Sequence, residues 1–274
     1  MTRSILITGC SSGIGYDAAH VLHDRGWQVF AACRKPEDCA RLKAEGLNSP
    51  LIDYEKPETI EQGLGEVLTA TGGTLDALFN NGAYAIPGAV EDLPTNGLRQ
   101  IFEANFFGYH TLTRAVIPVM RAQGKGRIIQ CSSVLGFAAM PWRGAYNSTK
   151  YALEGLTDTL RIEMKDTPIH VILIEPGPIT TKIRENSIPH FEKWIDTAAS
   201  ARASQYAALK DRLYKDTGKD TFELPPRSVT DKLILALNAP NPRPRYYVTT
   251  ATHIVGTLKR LLPTRMLDKV LGRG

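Results

Sequence analysis

Apolar residues in this chain come in short uninterrupted runs rather than in strict alternation. Ser4–Thr8, Gln28–Cys33, Pro50–Asp53, Ala77–Asn80, Arg127–Cys131, His170–Glu175 and Tyr246–Val248 each read as a strand buried on both faces. Between them, helical periodicity marks Ile14–Arg25, Pro57–Thr71, Leu98–Gln123 and Ala145–Lys165. Strands alternating with helices build βαβ units, so the pattern predicts an α/β fold. It is one domain over residues 1–274, on a doubly wound parallel sheet of about seven strands. The alternation fades after Pro178. Residues 181–223 are charged, helical in tendency and without a strand, and Ser228–Leu237 then resumes the fold. Such an insertion is expected to close over a substrate as a lid.

The first run passes directly into Gly9-Cys10-Ser11-Ser12-Gly13-Ile14-Gly15 and then into a helix. Glycines at 9, 13 and 15 allow a sharp turn and a close approach of backbone to a pyrophosphate at the helix N-terminus, where free amides and the helix dipole favour negative charge. A glycine turn without a ligand explains the motif in isolation. Its place as the first turn of an alternating chain favours a Rossmann-type nucleotide site.

Tyr146 and Lys150 stand four apart, and Ser133 precedes the tyrosine by thirteen residues. Four apart on a helix is one face, so the spacing predicts an ammonium close enough to pull the phenol below its usual pKa of about 10. A phenol tuned in this way exchanges a proton with an alcohol or carbonyl near neutral pH.

Together these motifs resemble the short-chain dehydrogenases/reductases over nearly the whole length. The resemblance implies an enzyme with cofactor contacts at Gly9, Ser11, Ser12, Gly13, Ile14 and Gly15. Asp53 corresponds to the adenine contact, and Asn81 and Gly82 fall in the family's Asn-Asn-Ala-Gly segment. Asn105 of Glu-Ala-Asn-Phe-Phe-Gly matches the helix asparagine that holds a catalytic water. Ser133, Tyr146 and Lys150 match the active-site trio, with Tyr146 and Lys150 also touching cofactor. Pro176, Gly177, Ile179 and Thr181 fall in the segment that binds the nicotinamide amide. One departure stands out: Asn80-Asn81-Gly82-Ala83 exchanges the last two residues of the family pattern, which predicts a locally altered backbone with cofactor still bound. The chain is most similar to the subgroup of bacterial aldehyde reductases, 17β-hydroxysteroid dehydrogenases and retinol dehydrogenases.

In that chemistry Tyr146 donates the proton in reduction, Ser133 orients the oxygen, Lys150 tunes the phenol and holds the nicotinamide ribose, and Asn105 opens a proton route. Ser133 is preferred over Ser132, whose side chain should face away. Cofactor choice is read after the second strand, where Cys33 and Arg34 precede the first acid at Glu37. A basic residue there accommodates a 2′-phosphate and favours NADP, with Ser12 or Lys35 assisting. Leu135, Phe137 and Trp142, with Tyr84, Ile86, Ala138 and Pro141, sketch an apolar substrate wall suited to a hydrophobic carbonyl or alcohol. Arg143 is expected to be solvated. The alternatives are a cofactor-binding sensor or scaffold without turnover, and a membrane-peripheral steroid or retinoid dehydrogenase.

Composition narrows the setting. The chain of 274 residues is 43% apolar, enough for one substantial core. Four cysteines without a C-x-x-C pair and six histidines without ligand spacing point to no metal and no disulfides. No apolar stretch approaches the ~18 residues of a membrane span, and the first strand begins at once, so a cytoplasmic protein is expected. A net charge of +5 without basic blocks gives no reason for nucleic-acid binding. The tail, residues 251–274, is amphipathic, with Lys259, Arg260, Arg265, Lys269 and Arg273 among leucines. Weak contact with a membrane surface is one expectation for it, and packing over the core, the substrate cleft or a subunit is the other. Long helices like those through which family members associate imply a homodimer or homotetramer.

Overall fold

In a computed structural model, which describes residues 2–272 other than 216, 217 and 219, the apolar runs become strands β1 (Ser4–Thr8), β2 (Gln28–Ala32), β3 (Ala77–Asn80), β4 (Gly126–Cys131), β5 (Ile169–Glu175) and β6 (Arg245–Tyr247). They form one parallel sheet in the order β2-β1-β3-β4-β5-β6. The chain fills the sheet outward from β1 in one direction and from β3 in the other. That reversal leaves a crevice at the carboxyl ends of β1 and β3, where α/β sheets bind ligands.

Alternate residues of each strand supply opposite layers. Ile5 and Ile7 of β1, with Ala77 and Phe79 of β3, face α1 (Gly13–Asp24) and α9 (Arg227–Asn238). Leu6 and Leu78 face α3 (Pro57–Ala70), α5 (Gly108–Ala122) and α6 (Gly144–Glu163). The short α2 (Pro36–Ala44) follows β2, started by Pro36 at its first turn with Glu37 and Asp38 at its positive end.

Two expectations need correction. The sheet has six strands, because Pro50–Asp53 is not a regular strand. The segment does run beside β2, with Ala31 N–H donating to Asn48 O at 2.7 Å and Ile52 N–H to Cys33 O at 2.9 Å. Pro50 has no N–H to give, so the ladder breaks into isolated bridges. Leu98–Gln123 is not one helix either. It divides into α4 (Thr95–Phe102), a π turn over Glu103–Phe107 and α5.

Residues 181–223 carry α7 (Ile183–Trp194) and α8 (Tyr206–Tyr214). Their Phe191, Tyr206, Leu209 and Leu213 are buried with Tyr84, Ile86, Ile101 and Ala145, and Trp142 and Tyr146 pack against the same cluster. At the C-terminus α10 (Thr250–Leu261) and α11 (Thr264–Leu271) pack on Val134 and Ala138. Arg273 lies outside the described residues. No helix among the described residues is long and apolar enough to cross a membrane.

Candidate active site and cofactor cleft

The turn after β1 is shaped by close backbone contact. Gly9 has φ +68°, and a Cβ there would stand 2.5 Å from Gly82 Cα; a Cβ on Gly15 would stand 2.4 Å from Gly9 O. Ser12 occupies the N-cap of α1 without a side-chain hydrogen bond, and no acid sits in the first turn. The amides at this helix start therefore keep their capacity for an anion, and the turn fits a dinucleotide pyrophosphate. Gly13 faces Thr181, and a cavity of about 540 Å³ runs beside them past Ser12, Tyr16 and Thr180. The exchanged Gly82 lies against Gly9, where a Cβ would come within 3.2 Å of Gly9 N.

A buried polar chain supports this turn. Asn81 donates from its backbone to Thr8 Oγ1 at 2.9 Å and from its side chain to Thr8 O at 3.0 Å. Thr8 Oγ1 pairs with the Tyr54 hydroxyl, which donates to Asn80 Oδ1 at 2.6 Å; Asn80 donates onward to Gln130 and Thr113. Sequence reasoning missed Thr113 and Gln130, whose polar groups fall inside otherwise helical or apolar patterns, and Tyr54, which lies in the turn before α3. It also missed Arg41, which donates to Ser11 O at 2.7 Å. Asp53 is half-buried after the irregular edge segment, and its carboxylate accepts Glu55 N–H at 3.1 Å. Arg34 is exposed at the end of β2.

The π turn sets Asn105 inward, fully buried. Such turns recur at functional positions because the extra residue redirects a side chain. Asn105 donates to Tyr84 O at 2.8 Å and to Thr149 Oγ1 at 3.3 Å, while Tyr84 N–H donates back at 3.2 Å. Thr149 lies beside Lys150 in α6.

Ser133 caps a short 3₁₀ turn after β4; its hydroxyl accepts Leu135 N–H at 3.1 Å and donates to Pro176 O at 3.4 Å. Ser132 faces Gly136 and Glu154 instead. Lys150 is buried, donates to Cys131 O at 2.7 Å, and places Nζ 5.6 Å from the Tyr146 ring centre. Burial lowers its pKa to about 8 against the raising influence of Cys131 and Glu154. The predicted lowering of the Tyr146 phenol by Lys150 is not found in the protein alone. Burial and Cys131 hold the phenol above its ordinary value, while Ser133 and Arg143 pull it down. Sharing a helix face was not enough, because the ammonium points to the β4 carbonyl.

Arg143 is half-buried rather than solvated; burial, then Arg212 of α8 and Arg184 of α7, lower its pKa. Trp142 adopts φ +65°, unusual for a bulky side chain, and its carbonyl accepts Gly88 N–H at 3.0 Å. Of the expected substrate wall, Trp142 packs with Tyr146, whereas Leu135 and Phe137 pack toward the C-terminal helices. Gly177 follows Pro176 where a Cβ would collide with Thr249 Oγ1, and Ile179 bridges to Leu224.

Behind Ser133, Arg245 of β6 binds Glu154 and Asp158 of α6 and Glu175 of β5. Burial and the nearby Glu154 carboxylate raise the Glu175 carboxyl to about 8. No sequence signal marked this cluster, since Arg245 sits in a proline-rich approach to the last strand. All four cysteines are buried free thiols, and among the described residues no group of His, Cys, Asp or Glu is placed to hold a metal.

A glycine-turn crevice at a sheet switch point, with a serine, tyrosine and lysine at its far end, defines a dinucleotide-dependent oxidoreductase. The family model of the short chain dehydrogenases matches residues 3–191, and the chain belongs to the short-chain dehydrogenase/reductase family. It is 40% identical over 271 residues to the uncharacterized oxidoreductase YbbO of Escherichia coli K12, covering 99% of this chain and 94% of the relative. It is 31% identical over 278 residues to the NADPH-dependent 3-dehydrocapnine reductase of Ornithobacterium rhinotracheale, covering 98% and 95%. A short-chain dehydrogenase from Streptomyces avermitilis has a similar solved structure, with TM-score 0.79, 26% identity and coverage of 98% and 94%.

Proposed function

We propose that the protein is an NADP(H)-dependent reductase or dehydrogenase that interconverts a hydrophobic aldehyde or ketone and its alcohol. The observation that carries this reading is the joint placement of Tyr146 and Trp142 in one cluster closed by α7 and α8, with Ser133 and buried Lys150 beside the phenol. When bound, the nicotinamide supplies or takes the hydride. The chain's own groups handle the proton and the oxygen. The Tyr146 phenol is held protonated by burial, and a nascent alkoxide is the stronger base, so the hydroxyl gives its proton to that oxygen in reduction. The Ser133 hydroxyl, already oriented by Leu135 and Pro176, donates to the same oxygen. Lys150 stabilises the resulting phenolate and holds the nicotinamide ribose, and Asn105 relays the proton outward through water. The 2′-phosphate preference rests on Arg34, with no acid before Glu37, and is consistent with the NADPH dependence in the name of the 3-dehydrocapnine reductase. Absorbance at the reduced nicotinamide band, followed with NADPH and NADH in parallel across alkyl aldehydes, aryl ketones and sugars, tests the proposal. Turnover of sugars alone, or a preference for NADH, would overturn it.

A further inference from the structure

The helices α10 and α11 each have two unlike sides. Val255 of α10 and Leu267 and Leu271 of α11 are buried on Val134 and Ala138, with Leu258 and Leu262 packed against them. The exposed positions of both helices are apolar and basic. On α10, Ile254 is 44% and Leu261 73% exposed; seven residues apart, they lie on one face. On α11 the ridge Arg265–Lys269 runs opposite Leu267–Leu271, and Met266 and Val270, 54% and 49% exposed, form the adjoining ridge. Lys259, Arg260, Arg265 and Lys269 are exposed, and among the described residues none of them is in an ion pair. Asp268 is the one acid between residues 250 and 272.

A water-facing helix gains nothing by exposing such large apolar side chains. A second copy on a two-fold axis would bring this basic patch, which holds one acid, against itself. A bilayer carrying anionic headgroups satisfies both halves of the pattern: apolar side chains enter the headgroup layer and cations meet lipid phosphates. We propose that α10 and α11 dock the protein peripherally on anionic membrane surfaces through Leu261, Met266 and Val270, held by Lys259, Arg260, Arg265 and Lys269. The buried side of the same helices rests on residues 134–140, between Ser133 and Tyr146. Docking therefore sets the loop between Ser133 and Tyr146 toward the lipid; the docking itself does not rest on the carbonyl-reductase reading above.

The test is sedimentation of the full chain with vesicles of pure phosphatidylcholine, or of about three parts phosphatidylcholine to one of phosphatidylglycerol, at low and high salt. Binding to the anionic vesicles alone, weakened by salt, is expected. Replacing all four cations with Gln should cut the partition coefficient by about two orders of magnitude or more, since each charge near the surface contributes about fivefold, and Leu261→Gln with Met266→Gln should lower it too. Circular dichroism and unfolding midpoints establish that the variants fold. Equal binding to both vesicle types, or to neither, would overturn the proposal. So would light scattering that shows an oligomer dissociated by Leu261→Gln and Met266→Gln while vesicle binding is absent, since a second copy would then cover this face.

Discussion

At the residue scale the site sets burial against charge, and two substitutions separate them. Tyr146→Phe removes the proton donor and keeps the ring packed with Trp142. Turnover should fall by about two orders of magnitude or more, with NADPH binding by fluorescence titration nearly unchanged. Near-normal turnover under conditions where chemistry limits the rate would refute the assignment. Lys150 is the harder case, because its ammonium is useful and costly at once. Its pKa near 8 in the folded chain lies below the ordinary ~10.4. Below pH 8 the group is charged in both states, and the cost of burying it is fully present. Between about 8 and 10 the unfolded chain binds more protons, so this group makes stability rise with pH. Lys150→Met should raise the urea unfolding free energy at pH 7 by on the order of 2–3 kcal/mol, with the advantage shrinking toward pH 10, while turnover and coenzyme affinity are lost. An unchanged or lower stability at pH 7 would show that the ammonium is not strained.

At the element scale, what the sequence revealed depended on whether a local rule was at work. The glycine turn at 9–15 was legible because only glycine tolerates φ +68° against Gly82, and the buried strands because apolar runs have few other uses. The π turn at Glu103–Phe107 was not, since one extra residue in a helix leaves no compositional mark and is fixed by tertiary contacts of Asn105 with Tyr84 and Thr149. The same holds for Arg245, whose three carboxylate partners come from residues 154 to 175. The segment 181–223 read as a lid on charge and position, but its helices contribute Phe191 and Tyr206 to a shared core. His190 of α7 stacks on Tyr84 with ring centres 3.7 Å apart, and Trp194 donates to Gln100 of α4 at 3.0 Å. If this segment closes over ligands, deuterium exchange in α7 and α8 should slow on adding NADPH with a substrate analogue, by more than in the sheet. Equal exchange with and without ligands would assign it a static role.

For the whole molecule, cofactor binding and stability are linked through the crevice that joins both halves of the sheet. NADPH at about 100 times its dissociation constant should add ~2.7 kcal/mol to the folded state, read as a rise in melting temperature. NADH at equal concentration should add less, and Arg34→Asp should reverse that order; identical shifts for both coenzymes in both proteins would remove Arg34 from cofactor choice. The broken ladder at residues 48–52 has a consequence of another kind. An open parallel sheet ends in a row of unpaired amides and carbonyls, which can recruit strands from other chains. Beyond β2 that row is occupied by a segment too irregular to extend the sheet, with a proline in its middle. The loss of the seventh strand therefore leaves a blunt border, and during refolding at high concentration this side of the molecule should resist growing into a fibril.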